Sequence, residues 1–338
     1  MSDPKISIVT PFKNRFELFK ETLKSMCMQN DKDFEWIIVD DHSSEDEFQK
    51  LSNSTKTHDF IKIYKSNNYG SNAARNYGLN KTQTDFVIFL DADDLLEKDF
   101  IQNRINIIRQ NLSFDFYIFH VKVFHSKPND SRTLWNVKTE DSDLDRFTRV
   151  DTPWHTTSPL WTKKFIDEIG GFNESCEIWQ DWEIHIRALL KHPNYKWVEL
   201  ENIDIYYRKS LKNSISSNDN SQNGLIKRLK TYKLVLKFSD EFNPENKVNL
   251  AHGLLRIANE LNVRNLREIR FEIQKMITTN KLLNIIELKL SLTRIQMKEI
   301  KIICHSIDWI LNKLFKRNFL IVKSSFHKIE FQTSKMYL

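Results

Sequence analysis

Three carboxylates, Asp91, Asp93 and Asp94, close the apolar run FVIFLDADDLL at residues 86 to 96. Acids that close together repel one another and raise each other's pKa unless a cation shares them. Hard oxygen ligands of this kind suit Mg2+ or Mn2+, which take few protein carboxylates and fill their shells with phosphate and water. The competing reading is architectural. LLEKDFIQNRINIIRQ reads as a helix, and acids just ahead of it would cap its first turn and meet its dipole. A second acidic pair, Asp40 and Asp41, ends the run WIIVDD, and Asp181 stands in WQDWEIH. A carboxylate within hydrogen-bond reach of an attacking hydroxyl can take its proton. A solvated surface acid is the alternative for Asp181.

These acids need a scaffold, and the first half of the chain supplies one. ISIVTPF, WIIVDD, IKIYKS and FVIFLDAD read as strands, and RFELFKETLKSMCMQ and SNAARNYGLNKT between them read as helices. That βαβ alternation predicts an α/β fold with a mostly parallel sheet, and two strands without polar alternation should be covered on both faces. Ligands of open α/β sheets lie beyond the carboxyl ends of the strands, so Asp40, Asp41, Asp91 and Asp93 should converge on one cleft. FYIFHVKVFH (116–125) reads as one further strand, followed by a polar excursion. EIWQDWEIHIRALLK (177–191) reads as a helix whose core stripe of Ile178, Trp182, Ile186 and Leu189 leaves Asp181 at its polar border. A polar linker around 209–224 separates this part from a helical remainder, which sets domains of 1–218 and 219–338. Four of the six glycines lie near the cleft, yet they form neither GxGxxG nor a P-loop.

With 338 residues, 40% hydrophobic and 12% aromatic, the chain can bury a large core. Its three scattered cysteines suggest neither a disulfide framework nor a thiolate metal site, which points to a cytoplasmic protein. No apolar run approaches the ~20 residues of a spanning helix. The net charge of +6 is unevenly placed: residues 1–221 carry 29 basic and 35 acidic side chains, residues 222–338 carry 22 and 10. A basic half favours anionic lipid or phosphate-bearing partners.

Taken in order and spacing, ISIVTPFKNR, WIIVDDHSSED, NNYGSNAARNYGL, FVIFLDADD, IGGFNE and WQDWEIHIRAL resemble the family 2 glycosyltransferases of the GT-A fold, over about residues 5–215. The resemblance implies a nucleotide-sugar donor, a divalent cation and inversion at the anomeric carbon by single displacement. Thr10, Pro11 and Asn14 fall in the segment lining the nucleotide pocket, and Asp41 aligns with the aspartate that reads the base, usually uracil. Arg75 and Asn76 match the step beside the nucleotide. Asp91 and Asp93 match the DxD pair, with Asp93 on the metal and Asp91 orienting the ribose and the metal's waters, while Asp94 is read as structural. Asp181 aligns with the catalytic base. Gln180 departs from a second acid common in relatives, so Glu177 or Glu183 stay open as accessory groups. Tyr206, Tyr207 and Arg208, with Ser214 and Ser216, resemble a segment that folds over the donor, where Arg208 would meet the diphosphate. His155 and Trp154 are read as shaping the acceptor side or as core. The QxxRW sequence of processive members is absent, which favours one sugar per visit.

The expected partners are therefore a nucleotide-sugar, with UDP as its nucleotide, and a glycan or lipid-linked glycan acceptor of bacterial surface polysaccharide synthesis. An anionic membrane surface is a further expected partner. It would meet the amphipathic stretch with Trp309, Ile310, Lys313, Leu314, Phe315, Lys316, Arg317 and Phe319, whose competing reading is internal packing. No motif for nucleic acid accompanies the charge. Two rival readings are a haloacid-dehalogenase-type phosphohydrolase with Asp91 as nucleophile, which FLDADDL superficially matches, and an inactive glycan- or nucleotide-binding module.

Overall fold

The computed structural model describes residues 5–110, 113–135, 137–209, 221–260 and 267–284, and positions 288, 291, 307, 310 and 313. The β-branched and aromatic runs form β1 (Ile6–Phe12), β2 (Phe34–Asp40), β3 (Ile61–Lys65) and β4 (Phe86–Phe89). They are connected through α1 (Phe16–Cys27), α2 (Glu45–Thr55) and α3 (Ser71–Leu79). All four run parallel, with β1 between β2 and β4 and Val9 opposite both Ile37 and Phe89.

Strand periodicity divides the core in two. Ile8, Trp36, Ile38 and Ile88 face α1 and α4 (Phe100–Arg109), burying Phe19, Met26, Phe100 and Ile101. Val9, Ile37, Val39, Val87 and Phe89 face the other way, onto Ala74 and Leu79 of α3. Every residue of β2 is buried, as a strand covered on both sides requires.

Beyond β4 the sheet continues through β8 (Pro159–Thr162), β6 (Phe116–Phe119) and β9 (Tyr195–Val198), in the order β3-β2-β1-β4-β8-β6-β9. A small second sheet joins β5 (Leu95–Leu96), β10 (Ile205–Arg208) and β7 (Lys122–Phe124). The run 116–125 is therefore two strands in two different sheets. The acids before Leu95 cap no helix either, because β5 follows them and α4 starts only at Phe100. That removes the helix-capping reading of these acids.

The helix holding Asp181, α7 (Gln180–Leu189), is shorter than the sequence pattern suggests and is not two-faced. Trp182, Glu183, Ile184, His185, Ile186, Ala188 and Leu189 are all buried, and both α5 (Asp143–Thr148) and α8 (Gln222–Val235) pack on the helix. After α8 come α9 (Pro244–Glu260) and α10 (Arg267–Thr279). Their Leu250, Leu254, Leu255, Ile273 and Ile277 extend the hydrophobic cluster that holds Trp182 and Phe147. Most of the expected linker, with Ser214 and Ser216, lies outside the described residues, as does most of the basic amphipathic stretch, including Trp309, Leu314, Phe315, Lys316, Arg317 and Phe319. No helix among the described residues is long and apolar enough to cross a membrane.

One contact fixes α3 on the sheet. A Cβ at Gly78 would run into the side chains of Val9 and Val39, so only glycine allows this approach. Gly78→Ala should lower unfolding free energy by about 1–3 kcal/mol, the usual cost of forcing a methyl into a filled core. A urea midpoint equal to the parent's would contradict so close a seat.

Candidate active site

The parallel strands β1, β2 and β4 end on one edge, and the chain departs from β1 and β2 in an unusual conformation. Asn14 and Arg15 after β1, His42 after β2 and Trp179 before α7 all have positive φ, between 55° and 60°. Such residues cost of order 1–3 kcal/mol each and tend to cluster at functional sites. The loops are also tied to each other: Asn14 N–H donates to Ser43 Oγ at 2.8 Å, and Ser44 N–H donates to Asn14 Oδ1 at 3.1 Å.

The acids after β4 do meet, each with a different set of neighbours. Arg75, buried on α3, donates to Asp91 Oδ1 at 2.6 Å. Burial pushes the Asp91 carboxyl up, but Arg75 and His155 outweigh it and hold the group below its ordinary range. Among the described residues Asp93 is ion-paired with Arg15 at 3.6 Å, and burial followed by the charge of Asp91 pushes it up to about 6. Asp94 is fully buried, accepting the Arg208 N–H at 2.9 Å and the Thr157 hydroxyl at 3.3 Å. Burial, then Asp93 and Asp91, raises it well above the carboxylate range. His155 stands between the outer two, with Nε2 3.8 Å from Asp91 and Nδ1 3.8 Å from Asp94.

Asp181 joins the same electrostatic environment. Burial raises its pKa, His155 opposes the rise, and Asp91 and Arg75 both act on it. Its Oδ1 accepts its neighbour's N–H, from Trp182, at 2.9 Å. Of the possible accessory acids, Glu177 pairs with Lys227 and Lys230 outside the cleft, and buried Glu183 pairs with Arg187. Tyr207 lies against His155 and Trp135, with ring centroids 4.7 and 4.8 Å away. Burial, and then all four aspartates, pushes its hydroxyl pKa up.

The remaining positions singled out in the sequence divide sharply. Asp41 is buried at the end of β2, where Oδ1 accepts the Gly70 N–H at 2.8 Å and Oδ2 meets Lys13 at 3.4 Å. Pro11 is half-buried in register with Val39. Thr10 points into the core, its hydroxyl accepting the Trp36 indole N–H at 2.8 Å. Asn76 is taken up by the loop at 172–174: its amide donates to Phe172 O and Glu174, and its Oδ1 accepts Phe172 N–H. Arg208 is also engaged, donating from Nε to Asp93 O at 2.8 Å and from Nη2 to Glu21 at 2.9 Å over the Phe124 ring. Trp154 is core, packed between Phe147 and His185. Two buried polar atoms at these strand ends, Asp40 Oδ1 and Arg75 Nε, have no hydrogen-bond partner among the described residues. Orphans of that kind are rare and call for a partner such as water, an ion or a ligand.

Residues 7–168 match the sequence profile of glycosyl transferase family 2. A Campylobacter jejuni GalNAc(5)-diNAcBac-PP-undecaprenol beta-1,3-glucosyltransferase is 41% identical over 95 residues, 28% of this chain and 31% of that protein. An uncharacterized glycosyltransferase of Rickettsia conorii is 36% identical over 111 residues, 33% of this chain and 18% of that protein. Staphylococcus aureus TarS 1-349 shares the fold, with a TM-score of 0.59 over 93% of this chain and 92% of that one at 14% identity. Its complex with UDP-GlcNAc gives 0.54 over 86% and 92% at 15% identity. Residues 7–168 form a glycosyl transferase family 2 domain. The matches to both curated relatives span less than a third of those proteins' lengths.

A divalent cation fits the donor set of this family 2 site. One ligand atom each from Asp91, Asp94 and His155 lies within 4.8 Å of the others, and Asp93 adjoins them with a carboxylate that like charge already crowds. Asp94 has least to offer, since both oxygens accept hydrogen bonds from protein. Asp91 and Asp93 keep the free capacity, and hard oxygens of this type suit Mg2+ or Mn2+.

An acid whose pKa rises on folding loses stability for the fold as pH climbs past the ordinary carboxylate range, because the unfolded chain ionises freely. Asp94→Asn should therefore melt above the parent at pH 8 and no higher than it at pH 4. A variant less stable at pH 8 would mean that the Arg208 N–H and Thr157 hydroxyl more than offset the burial of the charge.

Proposed function

We propose that this protein is an inverting, non-processive glycosyltransferase, moving a hexosyl or N-acetylhexosaminyl group from a UDP-sugar to a hydroxyl of a glycan or lipid-linked glycan. The observation that carries this reading is the convergence of half-buried Asp91, Asp93 and Asp181 on one electrostatic environment beside Arg75 and His155. The acceptor oxygen attacks the anomeric carbon while Asp181 takes its proton. The bond from that carbon to the diphosphate breaks, and the nucleoside diphosphate leaves with the electron pair. A Mg2+ or Mn2+ ion held by Asp93 and Asp91 would supply positive charge to the leaving diphosphate. Arg75 fixes the rotamer of Asp91, and Arg15 lies beside Asp93.

Within the donor set, Asp41, Pro11 and Asn14 with its loop form the nucleoside end. We assign Asn76 to the 172–174 loop instead of the donor, because its amide is already spent there. Arg208 is assigned to bracing the acids, since Glu21 and the Asp93 carbonyl hold its guanidinium away from a diphosphate. The undecaprenol-linked substrate in the Campylobacter relative's name supports a lipid-linked acceptor, and with it a role in surface polysaccharide synthesis on the cytoplasmic face of the membrane. The basic surplus of residues 222–338 favours contact with anionic lipid there. A phosphohydrolase is disfavoured, because Asp91 would be its nucleophile and Arg75 already holds one oxygen of that carboxylate at 2.6 Å.

Incubation with Mn2+ and a panel of nucleotide sugars should give acceptor-dependent nucleotide release from one donor, abolished by chelation and by Asp93→Asn. Phosphate release from simple phosphoesters instead would sink the assignment. Asp93 is pushed up to about 6 without a cation, so a metal there must displace its proton and Mn2+ affinity should weaken as pH falls below about 6. Mn2+ affinity unchanged from pH 5 to 8 would remove Asp93 from the metal.

A further inference from the structure

Among the described residues one hydrogen bond reaches the Asp181 carboxylate, from the N–H of Trp182, the next residue in the chain. A bond to an adjacent N–H cannot aim the group across the cleft, so its direction is set by how the backbone enters α7. That entry is made through Trp179, whose φ is 58°. A bulky residue in the left-handed region is costly, and it persists only where its surroundings hold it.

The hold comes from α8, on three consecutive residues. Glu177 pairs with Lys230 at 2.7 Å and with Lys227 at 3.0 Å. The Ile178 carbonyl accepts the Thr231 hydroxyl at 3.0 Å and the Cys176 thiol at 3.0 Å. The Trp179 ring lies 4.9 Å from the Arg228 guanidinium carbon, and its centroid lies 6.2 Å from that of Tyr232. Helix α3 adds a second set: Asn72 donates to Cys176 O at 3.1 Å, and the Gln180 amide donates to Ser71 Oγ at 3.2 Å. Of the α8 groups, Thr231 is buried and bonds to the backbone immediately before Trp179. Exposed pairs such as those of Glu177 contribute less.

We infer that Thr231 of α8 is a positioning residue for Asp181, an inference that rests on the reading of Asp181 as the base and deepens it. Both residues lie beyond position 168, where the match to the family profile ends. Without the Thr231 hydroxyl the Ile178 carbonyl keeps the Cys176 thiol, a weak donor. Trp179 is then free to relax out of the left-handed region, which turns the first residues of α7 and with them the carboxylate. Donor binding draws on Asp91, Asp93 and Asp41, none of which touches α8, so the loss falls on proton removal alone.

Single-turnover transfer by the full chain tests this, with Mn2+, the nucleotide sugar that the donor panel turns over and the acceptor that supports its release. Thr231→Val should slow transfer about 10- to 10²-fold, as displacement of a catalytic group does, with donor affinity within about twofold of the parent's. Thr231→Ser should restore the rate. In the Asp181→Asn background Thr231→Val should cost nothing more, because it acts through the carboxylate. A parental rate in Thr231→Val, or an equal further loss in the Asp181→Asn background, would overturn the positioning while the donor site stands. If Thr231→Val loses donor affinity along with rate, Glu177→Lys decides, since it sets a cation against Lys227 and Lys230 at an exposed position. Slower transfer at parental donor affinity in that variant supports the positioning, and parental transfer overturns it. A parental rate in Asp181→Asn, or no transfer from any nucleotide sugar, would remove the base assignment and the positioning with it.

Discussion

Four carboxylates in one poorly hydrated volume are costly, and much of the surrounding architecture answers that cost. Asp91 raises the pKa of Asp93, Asp94 and Asp181, and Asp93 raises that of Asp94, as like charges do in low-dielectric surroundings. Cationic or donor groups reach them from every side. Arg15 comes from the turn after β1, Arg75 from α3, His155 from just before β8, and the Arg208 N–H from β10. The small sheet has a purpose in this light. Pairing of β10 with β5 and β7 is what carries Arg208 onto the carboxylates that immediately precede β5. Neutralisation is incomplete at Asp93, and that residual imbalance is what a cation and a diphosphate together would relieve.

The helical half is built against the same site. Asp181 sits at the start of a helix buried nearly all round, and α5 and α8 both pack on that helix. Tyr232 of α8 packs on Trp182 with centroids 4.9 Å apart, next in sequence to Asp181. A base that must keep a raised pKa needs such a dry seat. On this evidence α8 and α9 complete the catalytic half's core, whatever further partners the basic surplus of residues 222–338 has.

Much of this could be read from the residues. Strands β1 to β4 and helices α1 and α3 were legible because each is a short, unambiguous apolar pattern in a βαβ alternation, and the carboxylates at the strand ends follow from parallel topology. Local pattern failed where long-range contacts decide. Nothing in FYIFHVKVFH says that Phe116 will pair with Trp161 and Tyr195 while Val123 pairs with Tyr207. LLEKDF has helical composition, yet Leu95 and Leu96 pair with β10, more than a hundred residues away. Asn76 and Arg208 look like ligand-binding side chains in sequence, but their partners are Phe172, Glu174 and Glu21. His155 lay in view inside TPWHTTSPLW. Only the fold brings it between Asp91 and Asp94, and no spacing could have told it apart from its core neighbour Trp154.

The central claim is a division of labour, in which the acids after β4 bind the donor's diphosphate and Asp181 removes the acceptor's proton. Donor affinity and single-turnover transfer, measured together on Asp181→Asn with Mn2+ and the donor identified by screening, test it most directly. Donor affinity should match the parent's while transfer falls by about 10²- to 10⁴-fold, the usual loss when a general base is removed. Transfer at the parental rate, or a donor affinity that collapses with it, would contradict the assignment of Asp181 as the base.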